Sequence, residues 1–403
     1  MIESIFLKDD SFFKLSLPVK AIAFYKNKSL NLISNRWEEN GIEEFNTLQH
    51  GLNLLSNDER MIVSHYCYEY GATFLDEVNE NDLLAVWIEY SQSDSWTPEK
   101  VLSNLSLLKA PLENTYEKAF QKGREHLLKG DCYQFNLTYP FKFQTNLETF
   151  ENVASSLFQD RERVGEFAMA TNLGVLGVLA SNSPECLFKV GEDAIETRPI
   201  KGTRKISHFE NKDCAWEDLK NSSKDQAELY MISDLLRNDL NKLSPHVKVA
   251  NKKVRLDVPE LVHQFSEILL PLKNLSKLNL FQMMEALFPG GSITGAPKKR
   301  VFQILKNIEE GRRGFYCGST FLNFKNTKQS SINIRTAHID LDSGVLTYHA
   351  GGGITVKSNW ESEYLEMISK VKSFVTAFSH GPSIQESESH LNKNTNNFDD
   401  LTI

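Results

Sequence analysis

Short apolar runs joined by tight turns constrain this chain most, and they are clearest between residues 165 and 198. The turns at 182–184 (Asn-Ser-Pro) and 191–193 (Gly-Glu-Asp) are too short to contain a helical crossover. Strands joined by such turns pair as antiparallel neighbours, because parallel pairing needs a connection of about a dozen residues or more. We therefore predict an antiparallel meander with strands at 166–170, 174–180, 185–190 and 194–198.

Helical and strand patterns alternate along the rest of the chain. Apolar residues spaced three and four apart predict helices at 45–55, 113–129, 147–158, 225–243, 281–288 and 361–378, and a further helix follows the glycine-rich loop at 289–298. Short apolar runs predict strands at 21–25, 61–68, 83–90, 132–143, 316–324, 331–339 and 345–348. The pattern favours an α+β fold, a single large domain of two packed, mainly antiparallel sheets flanked by helices.

Three parts of the chain differ in their motifs and composition. Residues 1–110 form its N-terminal part and carry no obvious chemical motif, whereas residues 111–378 carry the chemical motifs of the chain. Residues 379–403 are rich in Ser, Asn and Asp and hold few apolar side chains. Such a segment buries too little apolar surface to offset the entropy of folding, so we predict a disordered tail.

Charge and cysteine content exclude several broad classes of protein. The formal net charge is −8, which argues against a nucleic-acid binder or a membrane-surface binder. The five cysteines are scattered without a CxxC pair, as is typical of reduced thiols in a cytoplasmic protein. No signal-peptide pattern opens the chain, and no run approaches the ~18 apolar residues of a membrane span. An anionic ligand would therefore need local cations or a metal ion.

One lysine lies in a turn where the backbone is tightly specified. Pro199 fixes one backbone angle, and Gly202 permits a sharp bend or the close approach of a ligand. Lys201 lies between them. An amine screened from water in such a turn would have a lowered pKa and could act as a nucleophile or base. The alternative is a solvated loop lysine.

Two predicted helices each present paired carboxylates. Glu363, Glu366 and Lys370 are spaced three and four apart on one face of the last helix, and Asp225 and Glu228 share a face of the helix at 225–243. Such carboxylates could hold Mg²⁺, which prefers oxygen ligands. The alternative is a solvated face with a Glu366–Lys370 ion pair.

Together these stretches resemble the chorismate-utilising enzymes, a family that includes anthranilate synthase component I, aminodeoxychorismate synthase component I, isochorismate synthase and salicylate synthase. The similar segments occur in the family's order at 130–134 (Gly-Asp-Cys-Tyr-Gln), 183–185 (Ser-Pro-Glu), 199–203 (Pro-Ile-Lys-Gly-Thr), 227–239, 289–298, 316–319 (Tyr-Cys-Gly-Ser), 334–336 (Ile-Arg-Thr), 350–354 (Ala-Gly-Gly-Gly-Ile) and 363–370. So many collinear motifs make a chance match implausible. The resemblance implies an anthranilate synthase component I-like fold, with 111–378 as the chorismate-binding catalytic region.

The resemblance is strongest to the aminodeoxychorismate synthase component I branch. Lys201 stands where anthranilate and isochorismate synthases have alanine, and Gln134 stands where isochorismate and salicylate synthases have a lysine base. This combination implies that the chain attacks C2 of chorismate with its own amine and does not activate water there. The implied reaction is amination of chorismate at C4, giving 4-amino-4-deoxychorismate for p-aminobenzoate and folate synthesis.

The resemblance also implies a role for each site residue. Lys201 would be the nucleophile and Glu185 a protonated general acid. Glu228 and Glu366, with Glu363 nearby or bridging through water, would hold Mg²⁺. Ammonia would come from a separate glutamine amidotransferase subunit, since no Cys/His/Glu triad pattern accompanies the scattered cysteines.

The remaining implied contacts surround the substrate. The residues implied around the pyruvyl-ether carboxylate are Arg335, Tyr316 and Lys370, with the backbone of Gly351, Gly352 and Gly353. Gly202 and Thr203 would contact the ring end. His263 matches a family histidine near the ring, although a core histidine satisfied by backbone is an equal alternative. Lys298 and Lys299 are expected at the surface.

Two rival functions follow from the same motifs. One is anthranilate synthase component I, which uses the same substrate but places the amine at C2 and releases pyruvate. The other is a non-catalytic chorismate-binding subunit. The joint presence of Lys201, Glu185, Glu228 and Glu366 argues against the second.

Overall fold

The structure is a computed structural model that describes residues 1–75, 77–258 and 261–379. In these ranges the strands β1 to β20 are, in chain order, Glu3–Lys8, Ser11–Phe24, Ser29–Asn31, Arg36–Glu38, Met61–Tyr66, Ala85–Trp96, Leu105–Lys109, Gln134–Thr145, Met169–Asn172, Val178–Ser181, Cys186–Val190, Ala194–Arg198, Ile200–Lys205, Lys248–Val258, Leu261–Pro271, Gly295–Ala296, Ser319–Phe324, Thr327–Ile332, Thr336–Asp340 and Val345–Ile354. The helices α1 to α9 are Ile42–His50, Glu113–Leu128, Phe150–Phe158, Lys212–Asn221, Ser223–Leu240, Leu280–Leu287, Gly291–Thr294, Lys298–Ile308 and Trp360–Phe378. The predicted disordered tail lies, from residue 380 onward, outside the described residues.

Hydrogen bonds join the strands in two arms that meet at β1 and β2. The first arm runs β2–β6–β5–β17–β18–β11–β12–β15, with β13 and β14 also paired to β15. The second runs β1–β9–β10–β19–β20–β8, with β7 and β16 also paired to β8. Each of these pairings is antiparallel. The predicted meander is confirmed for the pairs β9–β10 and β11–β12 and is wrong between them, because β10 pairs with β9 and β19 in the second arm while β11 pairs with β12 and β18 in the first. The short turn at 182–184 therefore connects the two arms.

Apolar packing holds the two arms face to face and covers each with helices. Met169 and Leu179 of the second arm share one buried cluster with Val63, Ile88 and Leu322 of the first. Helices α2, α3, α8 and α9 pack on the second arm, and α5 and α6 pack on the first. The predicted α+β fold with two packed, helix-flanked sheets is therefore confirmed. Among the described helices, none is both long and apolar enough to cross a membrane.

Capping residues fix where the two carboxylate-bearing helices begin. The Ser222 hydroxyl accepts a hydrogen bond from the Asp225 backbone N–H at the start of α5. The Asn359 side chain accepts one from the Ser362 N–H at the start of α9. These side chains satisfy backbone donors that have no partner inside the helix. The first turns of both helices, which carry Asp225 in α5 and Glu363 in α9, are thereby fixed.

The structure differs from the sequence prediction in several places. Strands β1, β3, β4, β7 and β13 lie where no strand was predicted. A hairpin, β14–β15, and helix α4 occupy regions for which no element was predicted. The strand predicted at 331–339 is broken between β18 and β19, where Arg335 has a positive φ of 52°. The helix after the glycine-rich loop is two helices, α7 and α8, separated by β16. Charged side chains on the exposed face of β14 mask its alternation, which explains the missed hairpin.

Candidate active site

Lys201 lies in a bulge of strand β13. Ile200 is opposite Phe265 and Thr203 is opposite His263, so three steps along β13 match two along β15. Gly202 supplies the positive φ of 84° that such a bulge needs. A Cβ atom at this glycine would lie 2.7 Å from Leu219 Cδ1. The bulge therefore re-aims the Lys201 side chain away from the regular alternation of the strand.

One serine lies between Lys201 and Glu185. The Lys201 Nζ donates a hydrogen bond to the Ser292 carbonyl oxygen at 3.3 Å. The Ser292 hydroxyl donates to Glu185 Oε1 at 2.8 Å. Ser292 is buried in α7, so the glycine-rich loop brings it against both residues. An amine and a carboxyl group are thus held on the two sides of one residue.

Glu185 has the environment of a carboxyl group that retains its proton. Its side chain is only 4% exposed, and burial raises its pKa, because a charged carboxylate loses its hydration there. Lys201 and the Ser292 hydroxyl act in the opposite direction and lower the pKa. The net direction is upward, as a general acid requires.

Thr203 and His263 form a cross-strand pair next to the bulge. The Thr203 Oγ1 and His263 Nδ1 share a hydrogen bond of 2.8 Å. Burial, aided by the positive charge of Arg335, lowers the pKa of His263 to about 4, so the ring is neutral near pH 7. Its Nε2 is buried and has no hydrogen-bond partner among the described residues. That nitrogen is free to contact a ligand.

Acidic residues of α5 and α9 interact with the same lysine side chain. Glu228 Oε1 lies 4.0 Å from Lys224 Nζ, and the positive charge of Lys224 also acts on Glu363 and Glu366 of α9. Lys201 likewise lowers the pKa of Glu366. The two helices therefore present their carboxylates towards a common region that Lys201 also reaches.

Within α9 the two glutamates differ in protonation tendency. Lys370, whose Nζ is 2.9 Å from Glu366 Oε1, is the main cause of the lowered pKa of Glu366. Burial is the main cause of the raised pKa of Glu363, and the nearby charge of Glu366 adds to it. Glu363 thus lies in a place where further negative charge is unfavourable.

Three glycines of β20 form the wall next to α9. The Gly351 carbonyl accepts a hydrogen bond from Lys370 Nζ at 2.8 Å. An added Cβ would lie 3.2 Å from Glu363 Oε2 at Gly352 and 2.5 Å from the amide nitrogen of Gln134 at Gly353. Gln134 is buried, and its Oε1 has no partner among the described residues. The strand therefore places backbone that carries no side chains beside Glu363, Lys370 and the unpaired Gln134 Oε1.

Tyr316 lies just before β17, and Arg335 lies between β18 and β19. The Tyr316 ring stacks on His349, with ring centroids 5.3 Å apart, and is 8% exposed. Arg335 is partly buried, and its charge affects His263 and Tyr348. Arg335 is thereby close to both His263 and strand β20, and Tyr316 contacts β20 through His349.

Sequence reasoning missed Ser292 and misplaced Lys298. The glycine-rich loop gives no local sequence signal for the contacts of Ser292. Lys298 is not at the surface as expected, because its Nζ lies 2.6 Å from Asp239 Oδ2 and donates to the Leu287 carbonyl at 3.0 Å. Lys299 is exposed, as expected. The environment of Lys298 is created by tertiary contacts and has no local sequence signal.

The chain matches a known enzyme family. A family model described as chorismate binding enzyme matches residues 21–376 of the chain. The chain belongs to this family of chorismate-binding enzymes.

Particular relatives lie in two branches of the family. The chain is 34% identical over 319 residues to aminodeoxychorismate synthase component 1 of Salmonella typhimurium, covering 78% of this chain and 67% of the relative. It is 33% identical over 270 residues to anthranilate synthase component 1 of Saccharolobus solfataricus, covering 66% of this chain and 62% of the relative. Its fold resembles that of anthranilate synthase component I from Streptococcus pneumoniae, with a TM-score of 0.75 over 90% of this chain and 91% of the other, at 19% identity.

Proposed function

We propose that the protein aminates chorismate at C4 to give 4-amino-4-deoxychorismate, the precursor of p-aminobenzoate in folate synthesis. The observation that carries the proposal is the placement of the Lys201 amine and the Glu185 carboxyl group on the two sides of Ser292. The similarity to relatives named aminodeoxychorismate synthase component 1 supports it. An amine opposite a protonated acid suits a displacement in which one group attacks as the other protonates the leaving group.

The first step forms a covalent bond to the enzyme. The Lys201 amine attacks C2 of chorismate with its electron pair, the ring double bonds shift, and the bond from C4 to its hydroxyl breaks. Glu185 gives its proton to that hydroxyl, which leaves as water. The raised pKa of Glu185 supports this role, because the group must hold a proton until the bond breaks.

The second step reverses the displacement with ammonia. Ammonia attacks C4, the double bonds shift back, and the bond between C2 and Lys201 breaks. The amine recovers its electron pair, and the proton released from ammonia returns to the Glu185 carboxylate. Two successive displacements place the new amine at C4, whereas direct attack by ammonia at C2 would lead towards anthranilate.

The three glutamates fit a Mg²⁺ ion in donor chemistry. Glu228, Glu363 and Glu366 offer only oxygen atoms. Burial, with the nearby charge of Glu366, raises the pKa of Glu363, and a cation would favour its charged form. In the described residues, no three acidic, histidine or cysteine side chains lie close enough to hold a metal ion as they stand. Bound there, Mg²⁺ would neutralise the ring carboxylate of chorismate and polarise the ring. The glutamates would then exchange their lysine partners for the ion.

The remaining contacts orient the substrate. Arg335 and Lys370 would pair with the pyruvyl-ether carboxylate, beside Tyr316 and the backbone of Gly351, Gly352 and Gly353. Gly202, Thr203 and the open Nε2 of His263 would contact the ring end. These assignments meet the need of an acidic protein for local cations near a dianionic substrate.

A glutamine amidotransferase subunit would supply the ammonia. Several relatives are named component 1, and another is named a PabA-like protein, which is consistent with a second subunit. Free ammonium should replace this partner in vitro. The amination can therefore be tested without knowing the partner.

Anthranilate synthase is the rival that the relatives favour second. Incubation with chorismate, Mg²⁺ and ammonium distinguishes the two reactions. We expect 4-amino-4-deoxychorismate by mass spectrometry and no anthranilate fluorescence. A strong anthranilate signal would end the proposal.

A non-catalytic chorismate-binding subunit is the other alternative. Turnover that disappears on addition of EDTA and returns with excess Mg²⁺ would eliminate it. Protein that binds chorismate but stays inert with ammonium and Mg²⁺ would support it.

A further inference from the structure

Arg204 bridges three elements next to the catalytic lysine. It lies three residues after Lys201 on β13. Its Nη2 donates to Asp225 Oδ2 of α5 at 3.0 Å, and its Nε donates to Asp218 Oδ2 of α4 at 2.5 Å. The strand that carries the lysine is thereby tied to both helices that cover it.

The two ion pairs differ in environment. The side chain of Asp225 is 16% exposed, whereas that of Asp218 is 50% exposed. A hydrogen bond to a charged group contributes more when water competes less for it. Asp225 also packs on the bulge itself, since its Oδ1 lies 3.1 Å from the position of a Cβ at Gly202. The Arg204–Asp225 pair is therefore the stronger tie, and it is the one at the bulge.

Asp225 shares a helix face with Glu228. Residues three apart in a helix lie side by side, so a shift of Asp225 moves Glu228 with it. On the strand, Arg204 and Lys201 are separated by the bulge residues Gly202 and Thr203. One ion pair thus links the segment of the nucleophile to the segment of a proposed metal ligand.

We propose that Arg204 and Asp225 are positioning residues that hold helix α5 in register with the bulge of β13, and so set Glu228 relative to Lys201. The proposal rests on the proposed function for the roles of Glu228 and Lys201. The tie itself is a property of the fold, and it can be measured without turnover. Asp218 offers a matched control, since it bonds the same guanidinium from a helix that carries no proposed site residue.

Hydrogen–deuterium exchange of the full chain, followed by mass spectrometry, tests the tie directly. In Asp225→Asn we expect exchange about tenfold faster or more both in the peptide over 200–206 and in the first turns of α5, because a charge-assisted hydrogen bond is lost. Asp218→Asn should accelerate exchange in α4 alone. Equal patterns in the two variants would overturn the proposal.

Kinetics with chorismate, Mg²⁺ and ammonium test the positioning role. We expect Asp225→Asn and Arg204→Gln to lower kcat about tenfold or more with KM for chorismate within about twofold, since second-layer contacts at such sites have effects of this size. Arg204→Lys should restore part of the lost kcat, because one ammonium can still pair with Asp225. The double variant Arg204→Gln/Asp225→Asn should be no slower than either single one.

The outcomes separate this inference from the proposed function. If the wild-type protein makes no 4-amino-4-deoxychorismate, the proposed function fails, and the exchange data alone decide whether Arg204 and Asp225 tie α5 to β13. If the wild type is active and Asp225→Asn keeps the kcat of Asp218→Asn, the positioning role is wrong. Additive losses in the double variant would contradict it as well.

Discussion

Lys201 and Glu185 lie on the two sides of one serine, with the amine bonded to the Ser292 carbonyl and the carboxyl group bonded to its hydroxyl. The two contacts use different parts of Ser292. Removing the hydroxyl should therefore affect Glu185 while leaving the partner of Lys201 in place. This separation makes the site open to single-residue tests.

Ser292→Ala should shift the pH dependence of the reaction to higher pH. The Ser292 hydroxyl stabilises the charged form of Glu185 and lowers its pKa, so its loss lets burial raise that pKa further. Glu185 then keeps its proton to a higher pH, and the alkaline limb of the kcat profile moves upward. Ser181→Ala, which removes a buried 2.8 Å hydrogen bond to Thr336, should leave the limb unchanged. A downward shift in Ser292→Ala would contradict the assignment.

Glu185→Gln should keep the shape of the site and lose the acid. We expect kcat to fall by about 10² to 10⁴, the usual contribution of a positioned proton donor. Glu196→Gln on the neighbouring strand β12 is the control, because that carboxylate pairs with Arg198 and has no role in the proposed chemistry. Similar activities for the two variants would remove Glu185 from the mechanism.

Gly202→Ala should destabilise the fold more than Gly311→Ala. Both glycines have positive φ, 84° and 86°, so both substitutions carry a backbone cost of about 1–2 kcal/mol. A Cβ at Gly311 meets nothing within 4 Å, whereas one at Gly202 crowds Leu219, Asp225 and Gln264. Overpacking adds about 1–3 kcal/mol to the loss of unfolding free energy at Gly202. Urea unfolding measures the difference, and equal losses would mean that the bulge is not tightly packed.

His65→Gln should flatten the pH dependence of stability. His65 is fully buried, and burial lowers its pKa to about 3, well below its ordinary 6.5. Between these values the unfolded chain binds a proton that the folded chain does not, so this residue makes stability fall as the pH falls below about 6.5. Removing it should lower the slope between pH 5 and 6 by about 1 kcal/mol per pH unit.

The difference between variants is the useful quantity here. Burial raises the pKa of Glu69 to about 7. Its contribution to the pH dependence is opposite in sign to that of His65, because the stability that Glu69 contributes is lost as the pH rises through this range. Its contribution is common to the wild type and the variant and cancels. His208→Gln, at an exposed position, should leave the slope as it is. An unchanged slope in His65→Gln would show that His65 is not held neutral.

The sequence predicted those parts of the site that local patterns encode. Short connections correctly predicted the antiparallel pairs β9–β10 and β11–β12, but not that the turn at 182–184 passes from one arm to the other. The spacing of Glu363, Glu366 and Lys370 placed them on one helix face, with the Glu366–Lys370 pair at 2.9 Å. The roles of Lys201 and Glu185 came from the family resemblance. Their contacts agree with those roles, which stay proposals until chemistry is measured.

The parts that were missed depend on tertiary contacts. Nothing near Ser292 in the sequence indicates that its two polar groups meet residues about a hundred positions away. The sequence predicts a surface lysine at position 298, whereas in the structure the Lys298 Nζ lies 2.6 Å from Asp239 Oδ2. The break at Arg335 cannot be predicted from a period-two pattern, because the alternation of apolar and polar residues continues through the residue with the positive φ. Long-range partners, not local propensity, decide these three positions.

The central claim is that Lys201 bonds covalently to the substrate ring. Intact-protein and peptide mass spectrometry of enzyme incubated with chorismate and Mg²⁺, without ammonium, measures this directly. We predict an adduct with the mass of chorismate less one water on Lys201, released by ammonium, present in Lys205→Ala and absent in Lys201→Ala. An active enzyme with no adduct at Lys201, or an adduct that persists in Lys201→Ala, would contradict the account.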